Sequence, residues 1–442
     1  MSRHIYTKEE LVDGIEKELS WRKKELKVFK DSVPTEFSPK QTALLRCAIP
    51  IIYAHWEGFV KHSCELYLEY VSNRNEVLKN LKPQFIAIAL RNSIQAQEIN
   101  KISEIDFSLG TNEKTNIVEY VEKFIQEKTQ IELDDVMHSK EYKEFGKITY
   151  TEKTRAVIKV QDGCDRFCSY CIIPYARGRV RSRNYKEIIN EIISISKKGI
   201  KEIVITGIHI ASYGKDFEED YKLIDLLEEI NKIEGIERIR LGSIEPLLIT
   251  EEFLNRLKKL EKICEQFHLS LQSACNNTLE RMNRRYTIEE FKSITKMIRD
   301  CYSNAILTTD IIVGFPGETD EEFDITYKNL KEINFYKMHV FKYSPRKGTK
   351  AAIMKNQISG DIKEKRSKTL IELSDKNEKE YQKKYIGQTV KVLFEEEKNG
   401  WYVGHTANYI VVKVKSNKDL SNEIIEIKIT EQQGLELIGE CI

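Results

Sequence analysis

The chain has 442 residues, which is enough for about two to four domains with cores of their own. Its 71 Lys and Arg residues balance 70 Asp and Glu residues to a net charge of +1, so RNA contacts would have to use local basic patches. The start, MSRHIYTKEE, has no signal-peptide pattern, and no apolar run of about 18 residues occurs. We therefore predict a cytoplasmic protein without membrane contact. In that reducing compartment, the nine cysteines indicate thiols grouped for metal or redox chemistry.

The first hundred residues have the pattern of helices. Apolar residues recur at spacings of three and four in WRKKELKVFKD and in ALLRCAIPIIYAHWEGFVKHSCELYLEYVSNR. We therefore predict an all-α helical segment over residues 1–104. Residues 105–149 follow as a mixed, charged linker with one predicted helix in NIVEYVEKFIQEK.

From residue 150 to 378 the pattern changes to alternating strands and helices. Amphipathic stretches, many of which open with acidic residues as helix N-termini prefer, separate six apolar, β-branched runs. These runs are RAVIKV, EIVITG, RIRLGSI, FHLSLQS, TTDIIVG and MHVFKYS. Such repeats predict βα units on a parallel sheet, and six units are too few for a closed eight-stranded barrel. We therefore predict an α/β fold with a partial, open (β/α)6 barrel.

Residues 379–442 are rich in short β-like runs. They contain TVKVLFEE, GWYVGHTANYIVVKVK and EIIEIKITEQ within about 60 residues. This spacing predicts a small antiparallel β-barrel at the C-terminus.

Three cysteines crowd the segment GCDRFCSYC, directly after the first predicted strand. A structural zinc site would need four ligands, usually in two separated pairs, whereas Cys164, Cys168 and Cys171 stand alone. Three thiolates in one loop suit a [4Fe–4S] cluster in which the fourth iron stays open. The alternative is that these positions form the buried face of a helix, and Gly163 and Pro174 argue against that.

The C-x3-C-x2-C spacing resembles the radical S-adenosylmethionine (SAM) superfamily. This resemblance implies that the amino and carboxylate groups of SAM bind the open iron. It further implies that one electron from the reduced cluster, provided by an external electron donor, cleaves the sulfonium to a 5′-deoxyadenosyl radical.

Polar residues at the ends of the other predicted strands agree with a SAM site. The strand ends of a barrel converge on one mouth, where polar side chains suit a cofactor with charged and hydroxyl groups. The candidate SAM-binding residues are Gly207, His209, Ser243, Glu245, Gln272, Ser273 and Asp310. We also expect GFPGET, residues 314–319, to line the site, although a tight turn before a helix has the same pattern.

Longer segments resemble one family, the tRNA methylthiotransferases, and within it the MtaB group. The segments are GTNEKTNIVEYVEKFI, RAVIKVQDGCDRFCSYCIIPYARGRVRSR, TGIHIASYGKD, HLSLQSACNNTLERMNRRYT, TTDIIVGFPGETDEEF and HVFKYSPRKGTKAA, and Ala274 stands where the family pattern LQSGC has glycine. The resemblance implies a radical SAM core over residues 150–378 and an RNA-binding TRAM domain over residues 379–442. It also implies a transferase that 2-methylthiolates N6-threonylcarbamoyladenosine at position 37 of tRNA.

Basic and aromatic residues could contact the RNA. Arginine forks suit phosphates, and aromatic side chains among lysines can stack on bases, although strand alternation must bury half of the aromatics. The candidate arginines are Arg177, Arg179, Arg181, Arg183, Arg284 and Arg285, and the candidates in the C-terminal barrel are Trp401, Tyr402, His405, Tyr409, Lys391, Lys398 and Lys413. A solvated basic face is the alternative interpretation.

The N-terminal region departs from the family. Family members begin with an α/β domain whose three cysteines hold a second, auxiliary iron–sulfur cluster, but this region has only Cys47 and Cys64, which we interpret as core residues. It instead resembles a MAE_28990-type HEPN domain. Some HEPN domains are ribonucleases with an arginine and a histidine four to six residues apart; Arg46 and His55 are spaced too widely for that. Residues 105–149 would then be a remnant of the lost family domain.

These observations lead to the hypothesis of one cluster, SAM cleavage, and little or no methylthiolation unless the sulfur comes from elsewhere. Two alternatives stay open. The radical chemistry could act on another target, either isopentenyladenosine in tRNA or a ribosomal protein. Or the chain could be an RNA-interacting HEPN protein with a vestigial barrel.

Overall fold

The computed structural model describes residues 7–32, 59, 62, 63, 66, 137, 141–144 and 154–442. The chain divides into two compact units, Met1–Ser108 and Leu109–Ile442. In the first unit, helix α1 (Lys8–Ser32) contains the predicted helix WRKKELKVFKD. The other predicted helices of the N-terminal segment, the linker and the residues Arg46, Cys47, His55 and Cys64 lie outside the described residues.

Helix α1 begins with a capping box. The Thr7 hydroxyl accepts a hydrogen bond from the Glu10 backbone N–H at 3.1 Å, and the Glu10 carboxylate accepts one from the Thr7 N–H at 3.0 Å. In the described ranges, no helix combines the length and apolar character that a membrane crossing requires.

The second unit contains a half-barrel of six parallel strands. They are β1 (Arg155–Asp162), β3 (Glu202–Gly207), β4 (Arg238–Leu241) continued by β5 (Ser243–Ile244), β6 (Gln266–Gln272), β7 (Ile306–Val313) and β8 (Lys337–Lys342). A short antiparallel strand, β2 (Arg181–Ser182), pairs with the end of β1, and the sheet order is β2-β1-β3-β4 followed by β5-β6-β7-β8. The six strands fall on the six predicted runs, so the predicted partial barrel is confirmed.

Helices alternate with the strands, and most of them cover the outside of the half-barrel. They are α2 (Ile173–Arg177), α3 (Tyr185–Ser196), α4 (Leu223–Asn231), α5 (Glu251–Leu257), α6 (Asn276–Arg281), α7 (Ile288–Cys301), α8 (Asp320–Ile333) and α9 (Gly360–Lys383). The acidic starts seen in the sequence are part of capping boxes at α7 and α8, in which Thr287 pairs with Glu290 and Thr319 with Glu322.

The core lies between these helices and the sheet. On α3, Ile188, Ile192 and Ile195 are buried at spacings of four and three and belong to the core cluster with the strands β1 and β3. Each such side chain contributes about 1.5–3 kcal/mol when it is fully buried. This packing holds the strands in place and leaves their carboxyl ends to carry the site.

The C-terminal region forms a closed five-stranded barrel. Its strands are β9 (Thr389–Lys398), β10 (Trp401–Thr406), β11 (Val411–Val414), β12 (Ile424–Gln433) and β13 (Glu436–Cys441), in the order β10-β11-β13-β12-β9. All pairs are antiparallel except β11 and β13, which run in the same direction. The predicted small barrel is confirmed, with this one parallel pair as the difference.

A buried layer of charges joins the half-barrel to the C-terminal barrel. Glu202, at the start of β3, is only 1% exposed and accepts a hydrogen bond from Arg240 Nε at 2.8 Å, with Arg238 and Arg155 within 3.8 and 3.9 Å. Arg155 also bonds Glu395 of β9 at 2.8 Å, and Arg238 donates to two backbone carbonyls of the C-terminal barrel. These contacts fix the two barrels to each other.

We predict that Glu202→Gln lowers the free energy of unfolding by about 3–5 kcal/mol, because it leaves buried guanidinium charges without their carboxylate. Glu396→Gln is the matched control, since Glu396 pairs with Lys398 on the surface, where such pairs contribute about 0–1 kcal/mol. Urea unfolding followed by circular dichroism measures both. Equal midpoints for the two variants would contradict the structural role of this layer.

Candidate functional site

The three clustered cysteines lie in a loop at the carboxyl end of β1. Residues 163–172 are not helical, so the alternative that the cysteines form one face of a helix is wrong. The loop starts at Gly163, whose φ is +72°, and the Cys164 N–H donates to the Gly178 carbonyl at 3.0 Å. The turn is so tight that a Cβ on Gly163 would lie 1.7 Å from the Arg179 carbonyl oxygen.

We predict that Gly163→Ala abolishes assembly of a cluster in this loop, because the backbone at Arg179 has to move and an L-residue is strained at this φ. The matched control is Gly400→Ala: Gly400 has a φ of +79° but open space around it. Iron content after anaerobic reconstitution measures the difference. If both variants retain the same amount of iron, the close contact between Gly163 and the Arg179 carbonyl is not required for cluster assembly.

Two distant segments anchor the middle of the loop. Ser169 donates from its backbone N–H to the Met282 carbonyl at 3.0 Å and from its hydroxyl to the Arg281 carbonyl at 2.8 Å. The Asn283 side chain donates to the Phe167 carbonyl at 3.0 Å, and the Ala351 N–H donates to the Ser169 carbonyl at 2.8 Å. The loop is therefore held before any ligand binds.

N–H donors face the cysteine sulfurs. Arg284 Nη1 lies 3.4 Å from Cys168 Sγ, and the Arg166 backbone N–H lies 3.5 Å from Cys164 Sγ. The three thiols form no disulfide. Burial raises the pKa of the Cys164 thiol to about 11 and raises that of Cys171 as well, so both stay protonated until a metal ion displaces the proton.

This donor set fits an iron–sulfur cluster. Within the described part of the chain, no three His, Cys, Asp or Glu side chains are grouped so that they could hold a metal ion. A [4Fe–4S] cluster requires a different arrangement, because each cysteine thiolate binds a different iron and the sulfurs accept hydrogen bonds from the protein. Free thiols in an anchored loop with N–H donors at the sulfurs provide this arrangement.

Glu245 lies in a buried ion cluster beside this loop. Its carboxylate is 2.8 Å from Arg284 Nη2, 3.6 Å from Arg166 Nη2 and 3.8 Å from His209 Nε2. Burial opposes ionisation, but the nearby His209 ring and the charges of Arg284 and Arg166 outweigh it and hold the pKa of Glu245 below its ordinary value. His209 Nδ1 lies 2.7 Å from the Ser212 hydroxyl. Glu245 therefore orients the Arg284 guanidinium, which faces the Cys168 sulfur.

A cavity of about 510 Å³, the cluster-side cavity, adjoins Cys171. Gln272 and Asp310 line it, together with Tyr343, Ser344 and Arg346. Gln272 has a φ of +72°, which ends β6. Sequence reasoning missed Arg346, since it follows the last strand inside a run that carries no strand or helix signal.

Ser243, Gly207 and Ser273 occupy other places. Ser243 lines a second cavity, of about 460 Å³, between the half-barrel and the C-terminal barrel, and it is absent from the cluster-side cavity. Gly207 packs so closely against Gln161 that a Cβ on Gly207 would lie 3.0 Å from the Gln161 carbonyl oxygen. Ser273 is buried, and its hydroxyl accepts a hydrogen bond from the Cys275 N–H at 3.4 Å. The three do not line the cluster-side cavity.

The GFPGET segment also does not line that cavity. Its Gly314 N–H donates to Glu318, and Glu318 forms a buried ion pair with Arg366 of α9 at 2.6 Å. Phe315 is fully buried and packs against the rings of Tyr170 and Tyr343. The segment is a turn that packs against the cluster-side cavity through Phe315, and its expected contact with SAM stays a prediction.

The arginines predicted to contact RNA divide into two groups. The side chains of Arg181, Arg183 and Arg284 are at most 11% exposed and pair inside the protein, so they cannot reach a phosphate without breaking those contacts. Arg179 and Arg285 are exposed, and Arg177 is half-buried. The prediction was wrong for the first three because spacing alone does not show which way a side chain points.

The predicted base-stacking residues of the C-terminal barrel are partly used inside the molecule. The ring of His405 stacks on Tyr409 at 4.6 Å, and the Arg240 guanidinium lies 4.6 Å from the Tyr409 centroid. Trp401 remains near the surface with Lys415 over its ring. Residues 389–442 contain six lysines against nine Asp and Glu residues, a net charge of −3, which does not favour phosphate binding.

Two family models match the chain. A model of the radical SAM superfamily matches residues 158–330, and a HEPN model of the MAE_28990-like kind matches residues 11–166. The HEPN match confirms the predicted resemblance and extends beyond residue 104 into the linker and the start of the half-barrel.

Curated relatives match most of the chain. Threonylcarbamoyladenosine tRNA methylthiotransferase MtaB of Bacillus subtilis is 39% identical over 339 residues, which cover 75% of this chain and 75% of that protein. tRNA-2-methylthio-N(6)-dimethylallyladenosine synthase of Clostridium tetani is 38% identical over 373 residues, covering 82% of each chain. Among solved structures, the radical SAM enzyme coproporphyrinogen III oxidase (HemN) from Escherichia coli has 14% identity and a TM-score of 0.40, covering 58% of this chain and 68% of its own.

Proposed function

Because this chain belongs to the tRNA methylthiotransferase family of radical SAM enzymes, we propose that it 2-methylthiolates N6-threonylcarbamoyladenosine at position 37 of tRNA. The observation that carries the proposal is the anchored cysteine loop at the carboxyl end of β1, with N–H donors at two of its sulfurs and a cavity beside Cys171. Chemistry in such barrels takes place at this end of the strands.

We assign cluster binding to residues of the loop and SAM binding to residues of the cavity. Radical SAM enzymes use a [4Fe–4S] cluster and SAM, and the cluster supplies the electron that cleaves SAM. Cys164, Cys168 and Cys171 hold the cluster. Gln272 and Asp310 contact SAM in the cluster-side cavity. Ser243, Gly207 and Ser273 do not line this cavity, and their contact with SAM stays a prediction.

The source of the sulfur distinguishes this chain from its relatives. The sequence before residue 150 has two cysteines, too few for the three-cysteine auxiliary cluster that the resemblance implies. We therefore propose that the chain binds one cluster and uses a sulfur donor from outside, together with an external electron donor. We propose that this activity takes place in the cytoplasm, where a tRNA substrate is present and grouped thiols stay reduced.

In vitro turnover tests the proposal. The reconstituted protein is incubated with SAM, dithionite and tRNA that carries N6-threonylcarbamoyladenosine, with and without added sulfide, and the nucleosides are measured by mass spectrometry. We expect the 2-methylthio product only when sulfide is added. Product without sulfide would contradict the external donor, and no product under either condition would contradict the activity. Parallel tRNA with N6-dimethylallyladenosine tests the alternative target.

The match to a HEPN model supports a second candidate, an RNA-interacting N-terminal module. The intact half-barrel and cysteine loop argue against a vestigial core. Cys168→Ala separates the two candidates, because an RNA-interacting protein with a vestigial barrel keeps its phenotype when Cys168 is replaced.

A further inference from the structure

The second cavity, which we call the floor cavity, lies between the half-barrel and the C-terminal barrel. It has a volume of about 460 Å³ and includes residues of β4, β6, β7 and β8 together with Asn408, Tyr409 and Val411 from the C-terminal barrel. Asp310 lines both the floor cavity and the cluster-side cavity. Asp310 therefore lies at the boundary between the two cavities.

Arg240 is a buried side chain of this cavity with unused hydrogen-bond donors. It is 4% exposed and lines the cavity, and its Nε donates to Glu202. Its Nη1 and Nη2 have no hydrogen-bond partner among the described residues. A buried guanidinium with two unused donors is costly, and its fork geometry matches a carboxylate.

The surrounding charges leave room for one anion. The buried layer beneath the cavity holds three arginines, Arg155, Arg238 and Arg240, against two carboxylates, Glu202 and Glu395, which leaves one positive charge in excess. An anion that reaches Arg240 would balance this excess.

The acidic residues of the cavity contact other groups: Glu378 pairs with the cation Lys337 at 3.2 Å, and Asp310 faces the His268 ring, which is charged only when protonated, at 3.3 Å from Nε2. The remaining lining is largely apolar, with Leu241 and Val411 among its residues, and Ser243 is one of its polar groups. An apolar group placed here would leave the two Nη donors of Arg240 without hydrogen bonds, whereas a carboxylate would accept from them.

We propose that the floor cavity binds a carboxylate through Arg240. The assignment rests on the proposed function: the threonylcarbamoyl group of the substrate ends in a free carboxylate and a hydroxyl, whereas a dimethylallyl group has neither. Arg240 is then the residue that selects threonylcarbamoyladenosine over dimethylallyladenosine. SAM also carries a carboxylate, so the experiment has to separate the two sources.

Binding of anticodon stem-loop RNAs tests the proposal. The reconstituted full chain, saturated with SAM, is titrated with stem-loops that carry threonylcarbamoyladenosine, dimethylallyladenosine or unmodified adenosine, and anisotropy gives the dissociation constants. We expect the wild type to prefer the threonylcarbamoyl RNA by about tenfold or more, since a hydrogen bond to a charged group contributes about 1.5–3 kcal/mol. Arg240→Gln should remove this preference.

Arg238→Gln is the matched control, because Arg238 is an equally buried arginine of the same strand that does not line the floor cavity. This variant should retain the preference. A wild type without preference, or an Arg240→Gln variant that keeps it, overturns the proposal. A preference that appears without SAM and vanishes at saturating SAM also overturns it, because the cavity then takes the carboxylate of SAM.

A competition on the wild type covers the case in which Arg240→Gln does not fold. N-acetylthreonine should displace the threonylcarbamoyl RNA and N-acetylthreonine amide, which lacks the charge, should not. Equal displacement by both, or by neither, overturns the proposal. Iron content and methylthiolation are measured separately, so a chain that assembles its cluster but shows no preference refutes this inference and leaves the proposed function standing.

Discussion

Replacing Cys168 with alanine is expected to reduce the iron of the reconstituted protein from about four per chain to less than about one. Cys168 is the middle one of the three proposed ligands, and Arg284 Nη1 lies 3.4 Å from its sulfur. With two thiolates left, the loop cannot hold three corners of a cluster. SAM cleavage, measured as 5′-deoxyadenosine under dithionite, should fall to background in the same variant.

Cys441→Ala is the control for this experiment, because Cys441 is an exposed cysteine at the end of the C-terminal barrel. It should keep the iron content and the 5′-deoxyadenosine of the wild type. If Cys168→Ala also keeps about four irons, the assignment of the cluster to this loop is wrong.

Replacing Arg284 with methionine is expected to lower the free energy of unfolding by about 3–5 kcal/mol, a large part of the stability of an ordinary domain. The Arg284 side chain is 5% exposed and donates at 2.8 Å to Glu245 and at 2.8 Å to the Ser270 carbonyl. Methionine has a similar length but no donors, so Glu245 keeps only the more distant Arg166 and His209. Iron content should fall as well, since the donor to Cys168 is lost.

The neighbouring Arg285 gives the matched control. It is exposed, so Arg285→Met should change stability by less than about 0.5 kcal/mol. The double variant Glu245→Gln with Arg284→Met should lose less than the sum of the two single changes, because the second substitution removes a charge that the first leaves unpaired. Additive losses in urea unfolding would show that the two side chains do not act together.

The sequence predicted the half-barrel well, for a physical reason. In a parallel sheet covered by helices, the strands are buried on the helix side, so each reads as an apolar, β-branched run such as EIVITG, and the helices between them are amphipathic. The parallel pairing of β11 and β13 had no such signal. The direction of this pairing depends on where the chain crosses the closed barrel between β11 and β12. Local sequence patterns do not encode that crossing.

The site was predicted less completely than the fold. The spacing of Cys164, Cys168 and Cys171 identified the loop because all three are close in sequence. The direction of a side chain at a strand end could not be inferred in the same way: Ser243 lines the floor cavity, whereas Gln272 lines the cluster-side cavity. Arg284 was singled out for RNA, but burial and the contact with Glu245 direct it to the cysteine loop.

The number of iron atoms in anaerobically reconstituted protein tests the central claim most directly. We predict about four irons and four sulfides per chain, with 5′-deoxyadenosine formed from SAM when dithionite is added. About eight irons per chain would reveal a second cluster for which the N-terminal sequence lacks ligands. A tetrahedral zinc spectrum, or iron without 5′-deoxyadenosine, would contradict a radical SAM site in this loop.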